Sequence, residues 1–118
     1  MAQDAHLICA AAALEEGGRG VRFLVDWYGR PEPAFVVRFR GEIRAYLNRC
    51  AHVPITLDWQ EGEFFDPEAR YLICGTHGAI YEPGSGLCVM GPCKGRRLAA
   101  LCVEERDGQV YWLPGQAV

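Results

Sequence analysis

Cys50-Ala51-His52 and Cys74-Gly75-Thr76-His77 each set one cysteine beside one histidine. Two thiolates and two imidazoles suit a 2Fe-2S cluster, with the cysteine pair on one iron and the histidine pair on the other. They also suit tetrahedral zinc. In the cluster arrangement the cysteine of each clip goes to one iron and the histidine of the same clip to its neighbour, so each loop straddles the cluster. A one-residue spacer in the first clip and a two-residue spacer in the second allow this. Zinc sites of this composition more often pair Cys with Cys and His with His within a clip. Core packing by chance is a weaker explanation still, because buried histidines seldom come paired with cysteine twice.

The residues that must position these clips read as strands. Phe35, Val37 and Phe39 alternate with Val36, Arg38 and Arg40. Gly41-Glu42 then turns the chain, and Ile43, Ala45 and Leu47 continue on one face. This antiparallel hairpin runs directly into the first clip. Tyr71-Leu72-Ile73 is a short buried strand running into the second. Leu101 to Glu105 and Val110 to Leu113, joined by Asp107-Gly108, form a closing hairpin with a favoured tight turn. Asp58 to Ala69, with Gly62 and Pro67, reads as an irregular surface excursion. The N-terminal part is ambiguous: Ala10 to Leu14 has helix propensity but stops at Gly17-Gly18.

The clips and their surroundings resemble the Rieske ferredoxin family over roughly residues 34–113. Gly78-Ala79-Ile80-Tyr81 after His77, and the turn Glu82-Pro83-Gly84-Ser85-Gly86, are similar to that family's second clip. Gly91-Pro92 resembles its third, proline-containing loop, which covers the cluster and would have no role in a zinc finger. Arg97-Leu98 through Tyr111 resembles its last hairpin. Val53 to Ile73 is longer than is usual for small oxygenase-type ferredoxins of this kind. The resemblance implies an all-β, Rieske-like antiparallel sandwich or partly open barrel, one domain over residues 1–118 with a cluster-binding subdomain at about residues 48–92. It also favours an N-terminal hairpin of Leu7 to Ala13 with Val21 to Val25. The implied cofactor is a Rieske-type 2Fe-2S cluster held by Cys50, His52, Cys74 and His77, with Tyr81 and Pro92 beside it.

Neutral imidazoles in place of two thiolates remove negative charge and raise the potential, to about −150 to +300 mV against about −400 mV for plant-type ferredoxins. Hydrogen bonds to sulfur raise it further by stabilising the reduced state. The family's high-potential branch has a disulfide between the clips; the matching positions here are Ile55 and Thr76. Its serine, which bonds a cluster sulfide, is matched by Ala79. Its tyrosine, which bonds a ligand cysteine, is matched by Tyr81, which can equally be read as a packed strand aromatic. The comparison places this chain in the low-potential group.

The chain as a whole narrows the function classes. Its 118 residues suit one compact domain, and a net charge of −3 with a pI near 5.6 argues against nucleic acid as the main partner. No apolar run approaches the roughly 20 residues that span a bilayer, and Met1 to His6 lacks the basic region of a signal peptide. A cytoplasmic protein without a membrane partner is expected. Cys9 and Cys102 are expected to be buried apolar residues. Cys88 and Cys93 bracket Gly91-Pro92 and read as packed thiols, with a disulfide or extra ligation as the alternatives. His6 reads as solvated, Arg96-Arg97 as a solvated turn, and Trp27, Trp59 and Trp112 as packing residues.

No dinucleotide-binding Gly-rich fingerprint is present, and three histidines in all leave little for a mononuclear iron site. The resemblance therefore implies a one-electron carrier without stand-alone catalysis, taking electrons from an NAD(P)H-dependent reductase and passing them to an oxygenase. The alternatives are a small Rieske-like accessory subunit of a nitrite reductase and a non-redox zinc module.

Overall fold

The computed structural model describes residues 5–50, 55–58, 60–75 and 78–114. Among these the regular secondary structure is strand, apart from one 3-10 turn at Ala11–Ala13. The strands are β1 (His6–Ala10), β2 (Val21–Trp27), β3 (Arg30–Phe39), β4 (Glu42–Leu47), β5 (Leu72–Ile73), β6 (Ile80–Tyr81), β7 (Cys88–Met90), β8 (Ala100–Leu101), β9 (Val103–Arg106) and β10 (Gln109–Trp112). They form three antiparallel sheets, ordered β2-β3-β4-β8, β1-β10-β9 and β5-β6-β7. No sheet closes into a barrel. No helix among the described residues is long and apolar enough to cross a membrane.

Where β3 and β4 meet, the central sheet is buried on both faces, and the two-residue period of a strand sorts its side chains between two cores. Phe35, Val37 and Tyr46 face the core that holds Phe64, Leu72, Tyr81 and the cysteines Cys50, Cys74, Cys88 and Cys93. Ala34, Val36, Ala45 and Leu47 face the other, with Leu14, Val25, Val110 and Trp112. The register agrees: Phe35 opposes Tyr46, and Val36 opposes Ala45. A strand buried on both sides reads as a continuous apolar run, which Ala34-Phe35-Val36-Val37 is.

Three two-residue turns set the register. Tyr28-Gly29, Arg40-Gly41 and Asp107-Gly108 all have φ between 53° and 81°, the left-handed pair that matches strand twist in a tight hairpin. The Asp107-Gly108 turn is where the sequence puts it. The clip-bearing hairpin turns at Arg40-Gly41, one residue earlier than Gly41-Glu42. The Tyr28-Gly29 hairpin carries Pro31 and Pro33 on β3 and has no counterpart in the expectations.

Several expectations need correction. Leu7 to Ala13 and Val21 to Val25 do not form a hairpin: β1 pairs with β10 and β2 with β3, in different sheets. Gly17, Gly18 and Gly20 form the crossing between the sheets. A Cβ on Gly20 would lie 2.8 Å from both Phe64 and Val37, so the crossing needs backbone against core there. Leu101 leaves the closing hairpin to pair with Ala45 in the central sheet. Cys9 and Cys102 are half-buried rather than buried. The 58–69 segment is not wholly superficial: Phe64 is fully buried and its ring stacks on Phe35 at 4.0 Å and 13°. His6 is exposed as expected and leans on Trp112, with ring centroids 5.4 Å apart. Trp112 is core and Trp27 packs at its margin; Trp59 lies outside the described residues.

The Phe64–Phe35 stack joins the segment between the clips to the central sheet, so its loss should be costly. Phe64→Ala is expected to destabilise the protein by about 3–5 kcal/mol in urea unfolding. Leu24→Ala, on the exposed outer face of β2, should change stability by no more than about 0.5 kcal/mol. Equal effects of the two substitutions would contradict the burial of Phe64.

Candidate metal centre

Each clip is held at its base by backbone hydrogen bonds. Strand β4 ends at Leu47 and delivers Cys50, whose amide donates to the Ile55 carbonyl at 2.7 Å. Strand β5 ends at Ile73 and delivers Cys74. The Cys74 amide donates to the Ala79 carbonyl at 2.8 Å, the Gly78 amide returns to the Cys74 carbonyl at 2.8 Å, and β6 follows. The two clips are tied to each other by the Gly75 amide, 2.9 Å from the Leu57 carbonyl.

Asn48 anchors the first clip. Its side chain is buried, at 1% exposure, and a buried amide must find partners. Its Oδ1 accepts from the Leu57 amide at 2.8 Å, and its Nδ2 donates to Asp58 Oδ1 at 3.2 Å. Asp58 Oδ2 accepts from the Gly62 amide at 3.1 Å and lies 3.5 Å from Arg22 Nε. The start and the far side of the loop are thereby locked onto β2.

Cys50 and Cys74 are buried, at 2% and 0% exposure. Tyr81, also fully buried, sets its hydroxyl 3.3 Å from Cys50 Sγ and 3.2 Å from Cys93 Sγ. Tyr81 is thus packed in the core, with its hydroxyl within hydrogen-bond distance of both sulfurs. Cys93 Sγ lies 3.0 Å from Cys88 Sγ, and the Cys88 thiol donates to the Met90 carbonyl at 3.2 Å. Both are free thiols. Burial, reinforced by the neighbouring Cys88 and opposed by the Tyr81 hydroxyl, pushes the Cys93 thiol up to about 11.

The third loop closes over the second clip. Gly91 has φ 105°, and a Cβ there would stand 2.8 Å from Ala79 Cα. Only glycine admits this backbone-to-backbone approach. Pro92 follows on the exposed surface. Ala79 is fully buried and offers a methyl where a hydroxyl would be a donor. Arg96 and Arg97 are exposed.

Two buried thiols on tied clips, with a phenolic hydroxyl on one of them, are the donor chemistry that the cysteine side of a mixed-ligand cluster needs. The structure brings Cys50, Cys74, Tyr81 and the Gly91-Pro92 loop into one region. His52 and His77, with Val53, Pro54 and Thr76, lie outside the described residues. Sequence reasoning missed Asn48 as an anchor and Cys93 as a partner of Tyr81. The signals available were a polar residue ending the apolar run Ala45-Tyr46-Leu47, and a cysteine directly after Gly91-Pro92.

The chain is similar in fold to a chain of the complex of reduced oxygenase and oxidized ferredoxin in carbazole 1,9a-dioxygenase, with TM-score 0.73, 22% identity and 99% of each chain covered. It is similar also to the ferredoxin of carbazole 1,9a-dioxygenase from Nocardioides aromaticivorans IC177, with TM-score 0.70, 21% identity, and 93% of this chain and 97% of that one covered. Against the terminal oxygenase from the same organism the TM-score is 0.73 at 23% identity, with 98% of this chain spanning 31% of that one. At these identities the likeness is one of fold. No curated protein matches the chain in sequence. The model of the Rieske [2Fe-2S] domain matches residues 4–113. The chain therefore belongs to the Rieske [2Fe-2S] domain family, and its cofactor is a Rieske-type 2Fe-2S cluster.

Proposed function

We propose that this protein is a one-electron carrier that takes electrons from an NAD(P)H-dependent reductase and passes them to an oxygenase in the cytoplasm. In this reading one Rieske domain fills the chain, with the cluster-binding part at about residues 48–92. Cys50 and Cys74 would hold one iron, and His52 and His77 the other. The observation that carries the proposal is the buried Cys50–Tyr81 contact at 3.3 Å between tied clips, in a chain whose fold matches 97% of a ferredoxin chain over 93% of its own length.

The cluster supplies a site that gains and loses one electron. The residues around it set how readily. Tyr81 can donate to Cys50 Sγ and stabilise its negative charge, while Ala79 leaves a second donor position empty. One donor present and one missing favour a midpoint in the lower part of the Rieske range. The surface beside the second clip is small and apolar: Gly78, Gly91 and Pro92 are exposed, and Met90 is 60% exposed. This collar suits close approach of a redox partner. The chain's acidic balance would govern encounter rate and salt dependence.

Purified protein made with ample iron should contain two iron and two acid-labile sulfide per chain and give a mixed-ligand EPR signal when reduced. Stoichiometric zinc without sulfide would overturn the assignment. In film voltammetry, Ala79→Ser should raise the midpoint, and His77→Cys, which replaces a neutral ligand by an anionic one, should lower it. A wild-type midpoint near the top of the Rieske range would contradict the account of the donors. Met90→Glu should slow electron transfer to a verified acceptor and leave the visible spectrum nearly unchanged. Unaltered transfer would exclude the collar as the docking surface.

A further inference from the structure

We propose that Cys93 is a positioning residue for the cluster, acting through Tyr81: its thiol proton holds the Tyr81 hydroxyl as a donor to Cys50. The inference rests on the reading of Cys50 as an iron ligand.

The case is one of counting protons. A thiol and a phenol each have one to give. Cys88 Sγ lies 3.2 Å from the Met90 carbonyl, which can only accept, so the Cys88 proton goes there. Cys93 Sγ has two neighbours for its own proton, Cys88 Sγ at 3.0 Å and Tyr81 Oη at 3.2 Å. Tyr81 Oη in turn lies between Cys93 Sγ at 3.2 Å and Cys50 Sγ at 3.3 Å. When Cys50 is an iron-bound thiolate it is the stronger acceptor, because a charged sulfur draws the phenolic proton. Tyr81 then presents lone pairs to Cys93, and an O–H already donating is a better acceptor than the neutral thiol sulfur of Cys88, so the Cys93 proton turns from Cys88 to Tyr81. The order becomes Cys93 S–H to Tyr81 O–H to Cys50 S⁻.

This chain of donors lies wholly in the core. Cys93, Tyr81 and Cys50 are each 2% exposed or less, so water cannot readily replace the thiol. Without that thiol, the Tyr81 hydroxyl loses the donor that polarises it and gives Cys50 a weaker hydrogen bond. The consequence is a lower midpoint, since donors to ligand sulfur favour the reduced, more negative state.

The test is a double-mutant cycle read as midpoint potential on the cluster-loaded protein. Cys93→Ala should lower the midpoint by less than Tyr81→Phe does, and should cause no further shift in the Tyr81→Phe background. Cys93→Ser, which keeps a donor, should recover most of the wild-type value. An unchanged midpoint in Cys93→Ala, or the same shift with and without the tyrosine hydroxyl, would overturn the proposal. If Cys93→Ala does not assemble a cluster, Cys93→Val, which fills the site without a donor, takes its place: it must lower the midpoint only when the Tyr81 hydroxyl is present. Cys50→Ser, assayed for iron and sulfide, tests the ligand reading separately. Full retention of an unaltered cluster there would refute that reading, whatever the Cys93 variants do.

Discussion

Two cysteines from separate segments must reach one buried place and stay there, because the sulfur positions of a rigid cluster leave little room for adjustment. The hydrogen bond from the Gly75 amide to the Leu57 carbonyl meets this constraint most directly, since it joins the two clips backbone to backbone. The rest of the molecule supports that junction. The Cys50–Ile55 and Cys74–Ala79 bonds shape each clip. Asn48 and Asp58 secure the first to β2 through Arg22. Phe64 stacks on Phe35 and holds the intervening segment against the central sheet.

The central sheet separates two tasks. One face carries the cysteine-bearing core, and the other is sealed by the sheet made from both ends of the chain. Arg38 fastens that seal from the side: its Nε donates to the Leu14 carbonyl at 3.0 Å, and its Nη1 lies 3.1 Å from Glu105. Small two- and three-residue strands suffice around the site, because the ladder there only orients loops. Stability comes from the long β3–β4 hairpin and the apolar side chains on both its faces.

Polarity at the site follows the same division. Burial leaves the sulfurs few solvent partners, so one phenolic hydroxyl has more influence there than it would in water. Tyr81 is fixed by its place on β6, where Leu72 opposes it across the ladder. The third loop reaches Ala79 because Gly91 lacks a side chain. Tyr46, another buried phenol, is committed elsewhere: its hydroxyl donates to the Pro83 carbonyl at 2.6 Å, and burial pushes its pKa up to about 12.

Much of this was legible in the residues. Short-range chemistry carries its own signal: Cys50 and Cys74 with nearby histidines, Asp107-Gly108 as a turn, and the alternation through Phe35 and Val37 are all local patterns. They sufficed to read an all-β fold and a Rieske-type 2Fe-2S cofactor. Pairing between distant strands has no such signal. Leu7 to Ala13 and Val21 to Val25 look like hairpin partners by proximity, yet β1 pairs with β10, a partner almost a full chain length away. Leu101 is similar: the alternation of the last hairpin includes it, and the edge of β4 captures it. Phe64 looked superficial because its neighbours are polar, and only the packed sheet reveals the slot beside Phe35. Cys93 and Asn48 acquire their roles through hydrogen bonds to Tyr81 and Asp58, which no spacing encodes. A single side chain's partners are decided by where three-dimensional packing leaves a donor and an acceptor within reach.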